Sequence, residues 1–235
     1  YITKDYTPYA NKRENKLQRL CNKYNVELNI IEDYCLNNPN TVLTGAGTAY
    51  QKYTPYYRSC IEIDPDKPTN KKKLPKLLKL YSKYSPDELY VENDDIHVRG
   101  GRKEGLKRLI QIKNHKNYNI DRNDLNLETT NLSAYNKFGC ISIREVYWKI
   151  RKIFGKNHNL ISQLIWRDFY YQLGIAFPHV IGSSLKSNYD RIKWNNNKAM
   201  LKAWKKGKTG FPIVDAAMTQ LNETGYMHNR GRLIV

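Results

Sequence analysis

The apolar positions of the first third of the chain change period repeatedly, which is the pattern of mixed α/β structure. Leu17, Leu20 and Cys21 recur at helical spacing with lysines and arginines between them, predicting an amphipathic helix over residues 11–24. The short apolar run at 26–31 predicts a strand, Asn37-Asn-Pro-Asn40 a turn, and Val42-Leu43-Thr44 a second short strand. A helix-compatible segment begins near Tyr53-Thr-Pro55-Tyr-Tyr57. Residues 64–115 are charged and rich in breakers, so they read as a connector. Within them, 74–84 suits a short amphipathic helix, Arg99-Gly-Gly101-Arg102 a basic turn, and 105–112 the start of another helix. After about residue 115 the pattern is helical and no strand pattern is convincing. Ser142, with Glu145 three residues on, forms a capping-box signal for a helix through Val146, Ile150 and Ile153. Residues 160–177 carry the strongest helical signal. Pro212 is placed to open a further helix, with Ile213, Ala216, Ala217 and Leu221 at helical spacing and Gly225 as its C-terminal cap.

Composition makes the chain globular and basic. Of 235 residues, 40% are hydrophobic, enough for a core of one or two domains. Forty lysines and arginines against 22 acids leave a net charge of +18, which attracts polyanions, nucleic acid first. The abundance of Asn, Lys, Ile and Tyr is also what a biased genome produces, so charge alone raises the nucleic-acid reading only moderately. Cys21, Cys35, Cys60 and Cys140 show no C-x-x-C spacing and no accompanying histidine cluster. That argues against zinc and against a disulfide scaffold, and favours a reduced, intracellular compartment. No apolar run approaches the roughly 20 residues that span a bilayer, and there is no signal-peptide pattern, so no membrane partner is expected. The start at Tyr1 and the end in Leu233-Ile-Val235 suggest a chain cut at both ends.

Three constellations could carry chemistry. Gln163, Trp166, Arg167 and Tyr170 fall at i, i+3, i+4 and i+7, on one helix face. An indole, an amide, a phenol and a guanidinium suit a flipped-out base and its phosphate. From spacing alone, an amphipathic helix with a half-buried Trp and a solvated Arg is the favoured reading. Thr129-Thr-Asn-Leu-Ser133 precedes a helical region, where hydroxyls and backbone N–H groups either hold phosphate or simply cap. His228, Asn229, Arg230 and Arg232 form a polar cluster, although a lone His is more often structural. Lys71-Lys-Lys73 suits a phosphate, but a solvated loop is commoner. Gly45-Ala-Gly47 lacks the rest of a dinucleotide fingerprint. No Ser/His/Asp or Cys/His arrangement and no carboxylate pair stands out, so any catalysis is expected to come from a bound cofactor.

Three stretches resemble the DNA photolyase/cryptochrome family, in the family's order. Trp204 to Arg232 is similar to W-x-x-G-x-T-G-[YF]-P-x-V-D-A-x-M-x-Q-L-x-x-T-G-[WY]-M-H-N-R-x-R nearly position for position. Residues 160–170 resemble the helix ending in L-x-W-R-[ED]-F-[YF]. Residues 129–142 resemble T-[ST]-x-L-S-P-Y-L-x-F-G-x-[IL]-S, with Ala134 in place of the proline. The segments from Asp5 to Arg13 and from Thr44 to Pro55 also look like the second half of the family's antenna domain. The resemblance implies an α/β fold (a partial Rossmann-like antenna domain, residues 1–63), an interdomain linker (64–115), and an all-α FAD-binding domain, also partial (116–235).

By position, the resemblance assigns Tyr118, Thr129, Thr130, Asn131, Leu132, Ser133, Arg167 and Arg232 to FAD binding. It assigns Arg122, Gln163, Trp166, Arg167, Tyr170, Asn229 and Arg230 to DNA contacts. Trp166 matches the tryptophan that stacks on the pyrimidine dimer, and Trp194 the surface end of a tryptophan electron-transfer chain; with Asn229 these are the implied catalytic residues. The implied activity is light-driven electron transfer from reduced FAD to a cyclobutane pyrimidine dimer in UV-damaged DNA, extruded from the stack. Asn229 points to the cyclobutane class, because (6-4) photolyases usually carry His there. A cryptochrome-like photoreceptor and an inactive or split DNA-binding remnant remain as alternatives. A second polypeptide supplying the missing C-terminal part is a further implied partner. Ala10 and Asn11 replace an acid and an arginine of folate-binding members, so no antenna pigment is implied.

Overall fold

The computed structural model describes residues 1–69 and 85–235. The helix expected over 74–84 and the Lys71–Lys73 run lie outside the described residues. Strand β1 (Ile2–Thr3) pairs in parallel with β2 (Ile30–Ile31), Ile2 opposite Ile30 and Thr3 opposite Ile31. Helix α1 (Pro8–Lys23) joins them, which is the crossover that a parallel pair requires. It begins three residues before the apolar period does. Pro8 occupies the first turn, and the Thr7 hydroxyl caps it by accepting from the Ala10 N–H at 3.3 Å.

The expected strand at 26–31 shrinks to two residues, because Asn25 turns left-handed (φ 53°) and Val26 stays exposed. The strand expected at 42–44 does not form. Thr44 donates its N–H to the Thr48 carbonyl and accepts from the Gly47 N–H, both at 2.8 Å, so the loop closes on itself. Val42 is buried as a loop residue; its hydrophobicity marked burial, not a ladder.

One hydrophobic core is built from α2 (Tyr53–Cys60), α6 (Ile143–Phe154) and α7 (Asn159–Ala176). Helix α7 buries Leu160, Ile161, Leu164, Ile165, Asp168, Phe169 and Gln172, a stripe at i, i+1, i+4, i+5, i+8, i+9 and i+12. Each large apolar side chain in that stripe contributes about 1.5–3 kcal/mol by leaving water. The capping box of α6 forms as expected: Ser142 Oγ accepts from the Arg144 N–H at 3.2 Å, and the Ser142 N–H donates to Glu145 Oε2 at 2.9 Å. Helix α3 (Arg102–Gln111) falls within the stretch read as a connector, and its Leu109, with Ile112 just beyond, belongs to the core.

The other α-helices among the described residues are α4 (Tyr118–Asp121), α5 (Ser133–Lys137), α8 (Lys198–Lys205), α9 (Pro212–Thr224) and α10 (Asn229–Ile234), joined by loops and short 3-10 turns. Pro212 opens α9, and Gly225 ends it in the left-handed conformation (φ 67°). The turn between α8 and α9 is held by Asp215, which accepts from Thr209 N and Oγ1 at 2.7 Å and from Gly210 N at 2.9 Å. Much of the long C-terminal motif is therefore scaffold that sets where residues 226–232 lie. Among the described residues, no helix is long and apolar enough to cross a membrane, and all four cysteines are unpaired.

Candidate functional site

A cavity of about 320 Å³ lies between the Thr129–Ser133 loop, α7 and α10. Ile112, Val146, Ile150, Leu160 and Leu164 give it an apolar wall, and Tyr118, Thr129–Ser133, Gln163, Arg167, Asn229 and Arg232 a polar one. The loop owes its shape to its own side chains. Asn131 adopts φ 51°, a left-handed conformation that asparagine tolerates better than most residues. Its Nδ2 donates to Glu128 Oε1 at 2.6 Å and lies 3.1 Å from His97 Nε2. His97 in turn stacks on Tyr226 at 4.6 Å between centroids, and the Tyr226 hydroxyl is 3.2 Å from Thr129 Oγ1. Leu132 then anchors the loop in the core.

On the opposite wall, Arg167 is preorganised. Its Nη1 donates to the Tyr34 carbonyl at 2.7 Å, and the guanidinium lies 4.3 Å from the Tyr34 ring centroid and 5.0 Å from that of Tyr171. The next residue, Asp168, is fully buried and accepts from the Leu36 and Asn37 N–H groups at 3.0 and 2.9 Å. Burial pushes its carboxyl up to about 6, outweighing the two N–H donors and the nearby Arg167, which favour the ionised form.

His228 caps α10, its Nδ1 accepting from the Arg230 N–H at 3.1 Å. That bond assigns the proton of the neutral ring to Nε2. Burial, with help from Arg230, lowers its pKa and so favours the neutral ring. Asn229 and Arg232 follow on the cavity side, and Arg232 Nε donates to the Met227 carbonyl at 3.1 Å. Three buried polar atoms on cavity-lining residues have no partner: Asn131 Oδ1, Asn136 Oδ1 and Arg167 Nη2. Two carbonyl oxygens call for donors and one guanidinium nitrogen for an acceptor. Set beside an apolar wall, this suits a polyhydroxylated, anionic ligand with a flat apolar portion.

The predicted helix face divides. Gln163 and Arg167 line the cavity, whereas Trp166 and Tyr170 do not. Trp166 lies flat on Tyr53, 3.5 Å between centroids and 6° between planes, with Tyr170 stacked at 5.6 Å. Arg122 and Arg230 sit outside the lining, both close enough to Tyr118 to act on its hydroxyl, whose pKa burial raises. Arg230 also hydrogen-bonds Asn123 Oδ1. Trp194 is 73% exposed and apart from the cavity.

A family model described as the FAD binding domain of DNA photolyase matches residues 160–235, and one described as DNA photolyase matches residues 1–76. The chain belongs to the DNA photolyase/cryptochrome family. It is 32% identical to a deoxyribodipyrimidine photo-lyase of Neurospora crassa over 95% of this chain and 42% of that protein. It is 31% identical to one of Buchnera aphidicola subsp. Baizongia pistaciae, over 100% of this chain and 52% of the other. The structure superimposes on an archaeal photolyase of Sulfolobus tokodaii, crystallised with two FAD molecules, with a TM-score of 0.80 and 29% identity, covering 100% of this chain and 52% of that one. The chain thus spans about half the length of the curated relatives it matches.

Within this photolyase fold the cavity includes residues that sequence reasoning did not single out. Asn136, Tyr226 and Met227 line it and fall inside the quoted motifs, so the motifs themselves could have supplied them. Tyr34 and Tyr53, which fix Arg167 and Trp166, lie more than 100 residues away in sequence, with no local signal to announce them.

Proposed function

We propose that the protein is a deoxyribodipyrimidine photolyase that binds FAD in this cavity and repairs cyclobutane pyrimidine dimers in UV-damaged DNA, wherever in the cell that DNA lies. One observation carries the reading: all eight residues matched to FAD binding, Tyr118, Thr129–Ser133, Arg167 and Arg232, line one cavity. The unpartnered atoms fit the group. Arg167 Nη2 suits a phosphate or carbonyl oxygen, and the carbonyl oxygens of Asn131 and Asn136 suit ribityl hydroxyl or amino donors. The hydroxyls of Thr129, Thr130 and Ser133 would hold phosphate oxygens, with Arg232 offsetting their charge. The apolar wall of Ile112, Val146, Ile150, Leu160 and Leu164 would exclude water from one side. Bound in its reduced form, FAD supplies the light-driven electron that splits the dimer. In this reading residues 1–63 form the antenna portion, 64–115 the connection and 116–235 the flavin-binding portion.

Arg122 and Arg230 lie close to Tyr118 at the cavity's edge and are assigned to phosphates flanking the lesion, with Gln163, Tyr170 and Asn229 toward the extruded bases. Trp194 is assigned to electron delivery from the surface, in keeping with its exposure. Trp166 is assigned to stacking on the dimer. Trp166→Ala should then weaken binding of dimer-containing DNA by about 1–3 kcal/mol and leave undamaged DNA unaffected. The direct test mixes the protein with reduced FAD and a dimer-containing oligonucleotide under near-UV light. Dimer loss in the light and not in the dark is the expected result, with FAD retention at least tenfold weaker in Arg167→Met. Retention unchanged by that substitution would refute the cavity assignment. Flavin bound with the dimer left intact would favour a photoreceptor.

A further inference from the structure

We propose that helix α8 and its flanks form a second polyanion-binding surface, one that grips the phosphate backbone of duplex DNA outside the flavin cavity. The inference goes beyond the repair activity and does not rest on flavin. Residues 186–208 carry eight lysines and arginines and one acid, Asp190, a net charge of +7 in 23 residues. All eight cations are exposed. Among the described residues none of the eight takes part in an ion pair, whereas Arg102, Arg108, Arg144 and Arg151 elsewhere are paired with carboxylates. Nearby acids are already engaged. Asp190 accepts from the Ser184 N–H at 2.7 Å, and Asp215 on α9 is taken up by Thr209 and Gly210.

Lys198, Lys202, Lys205 and Lys206 line one shallow groove with Leu201. Their spacing of i, i+4, i+7 and i+8 puts them on one helix face. From Lys198 to Lys205 the row extends about 10 Å along the axis, a length over which duplex DNA presents about six phosphate charges. A row of solvated ammonium groups matches a row of phosphates as point charges and carries no base readout. The surface should therefore bind undamaged DNA of any sequence, extending the protein's grip beyond the lesion.

The test is the salt dependence of binding to an undamaged duplex in the dark, followed by fluorescence anisotropy. Replacing Lys198, Lys202, Lys205 and Lys206 by Gln keeps good helix formers at exposed sites. The slope of log K against log salt should fall in magnitude by about 3.6, at about 0.9 for each of four lost phosphate contacts. Affinity at 100 mM salt should drop at least tenfold. The pair Lys198→Gln with Lys202→Gln should give about half the change in slope. A control replaces Lys12, Lys16, Arg19 and Lys23 of α1 by Gln, removing the same charge elsewhere, and should alter the slope by less than one. Equal losses in the two fourfold variants would reduce the effect to net charge and overturn the proposal, as would an unchanged slope in the α8 variant. Loss of binding to vesicles of phosphatidylcholine and phosphatidylserine, with DNA binding intact, would assign the surface to a membrane instead. If light-driven repair fails while the slope still falls, the repair reading fails and this surface stands.

Discussion

Gly207 makes a sharp test of whether the C-terminal motif is scaffold. It follows α8 at φ 63°, and a Cβ there would lie 2.8 Å from both the Asp215 carbonyl oxygen and Thr219 Oγ1, and 3.2 Å from the Thr219 N. Two of those three atoms are backbone of α9, which cannot turn aside as a flexible side chain can. Gly207→Ala should therefore incur two costs. The left-handed conformation costs an L-residue about 1–2 kcal/mol. Forcing α8 and α9 apart at that contact adds about 1–3 kcal/mol, as overpacking does elsewhere. The sum, about 2–5 kcal/mol, is a large share of an ordinary domain's stability. Gly210 supplies the control: it has φ 87° and nothing within 4 Å of its Cβ position, so Gly210→Ala should carry the backbone cost alone. Urea unfolding followed by tryptophan fluorescence measures both, and Trp204 lies close by to report on the contact. If the two variants fell within 0.5 kcal/mol of each other, the close approach of α8 to α9 would be wrong.

Asp168 should make stability depend on pH. Its folded-state pKa is raised from 3.8 to about 6, so its ionisation opposes folding. Stability should rise as pH falls from 7 to 4, by up to about 3 kcal/mol from this group. Asp168→Asn should remove that portion of the slope in urea unfolding between those pH values; an unaltered slope would show that the carboxyl titrates normally. Tyr53 and Trp166 should couple by about 0.5–1.5 kcal/mol in a double-mutant cycle of alanine substitutions read by thermal unfolding, and additive losses would refute the stack. Ser142→Ala should cost about 0.5–2 kcal/mol in chemical denaturation, since it removes one half of the capping box; a neutral result would mean water replaces the hydroxyl without penalty.

What was legible in the sequence is what local chemistry decides. Ser142 with Glu145, Pro212 with Gly225, and the long apolar stripe of residues 160–177 each name a helix end or face, and each appears where expected. The Thr129–Ser133 loop, by contrast, reads locally as a cap as readily as a phosphate site; the family motif singled it out, and it lines the cavity. Tertiary context decided the rest. Val42 is apolar and β-branched, so it mimics a strand residue, yet Thr44 and Thr48 use the neighbouring backbone groups to close a loop. The shared face of Gln163, Trp166, Arg167 and Tyr170 was correctly periodic, but periodicity cannot say that Tyr53 stacks on its Trp166.

The bonds that tie residues 34–37 to α7 also set a clock for synthesis. Tyr34 O, Leu36 N and Asn37 N meet Arg167 and Asp168 across 131–133 residues of sequence. At roughly 5–20 residues per second, a ribosome takes roughly 7–26 s to deliver those partners after the early segment has emerged. Through that interval the Leu36 and Asn37 N–H groups have no native carboxylate to meet. The early segment can reach its final form only after the helix that lines the cavity has been made, so order at residues 34–37 is a late signal that α7 is in place.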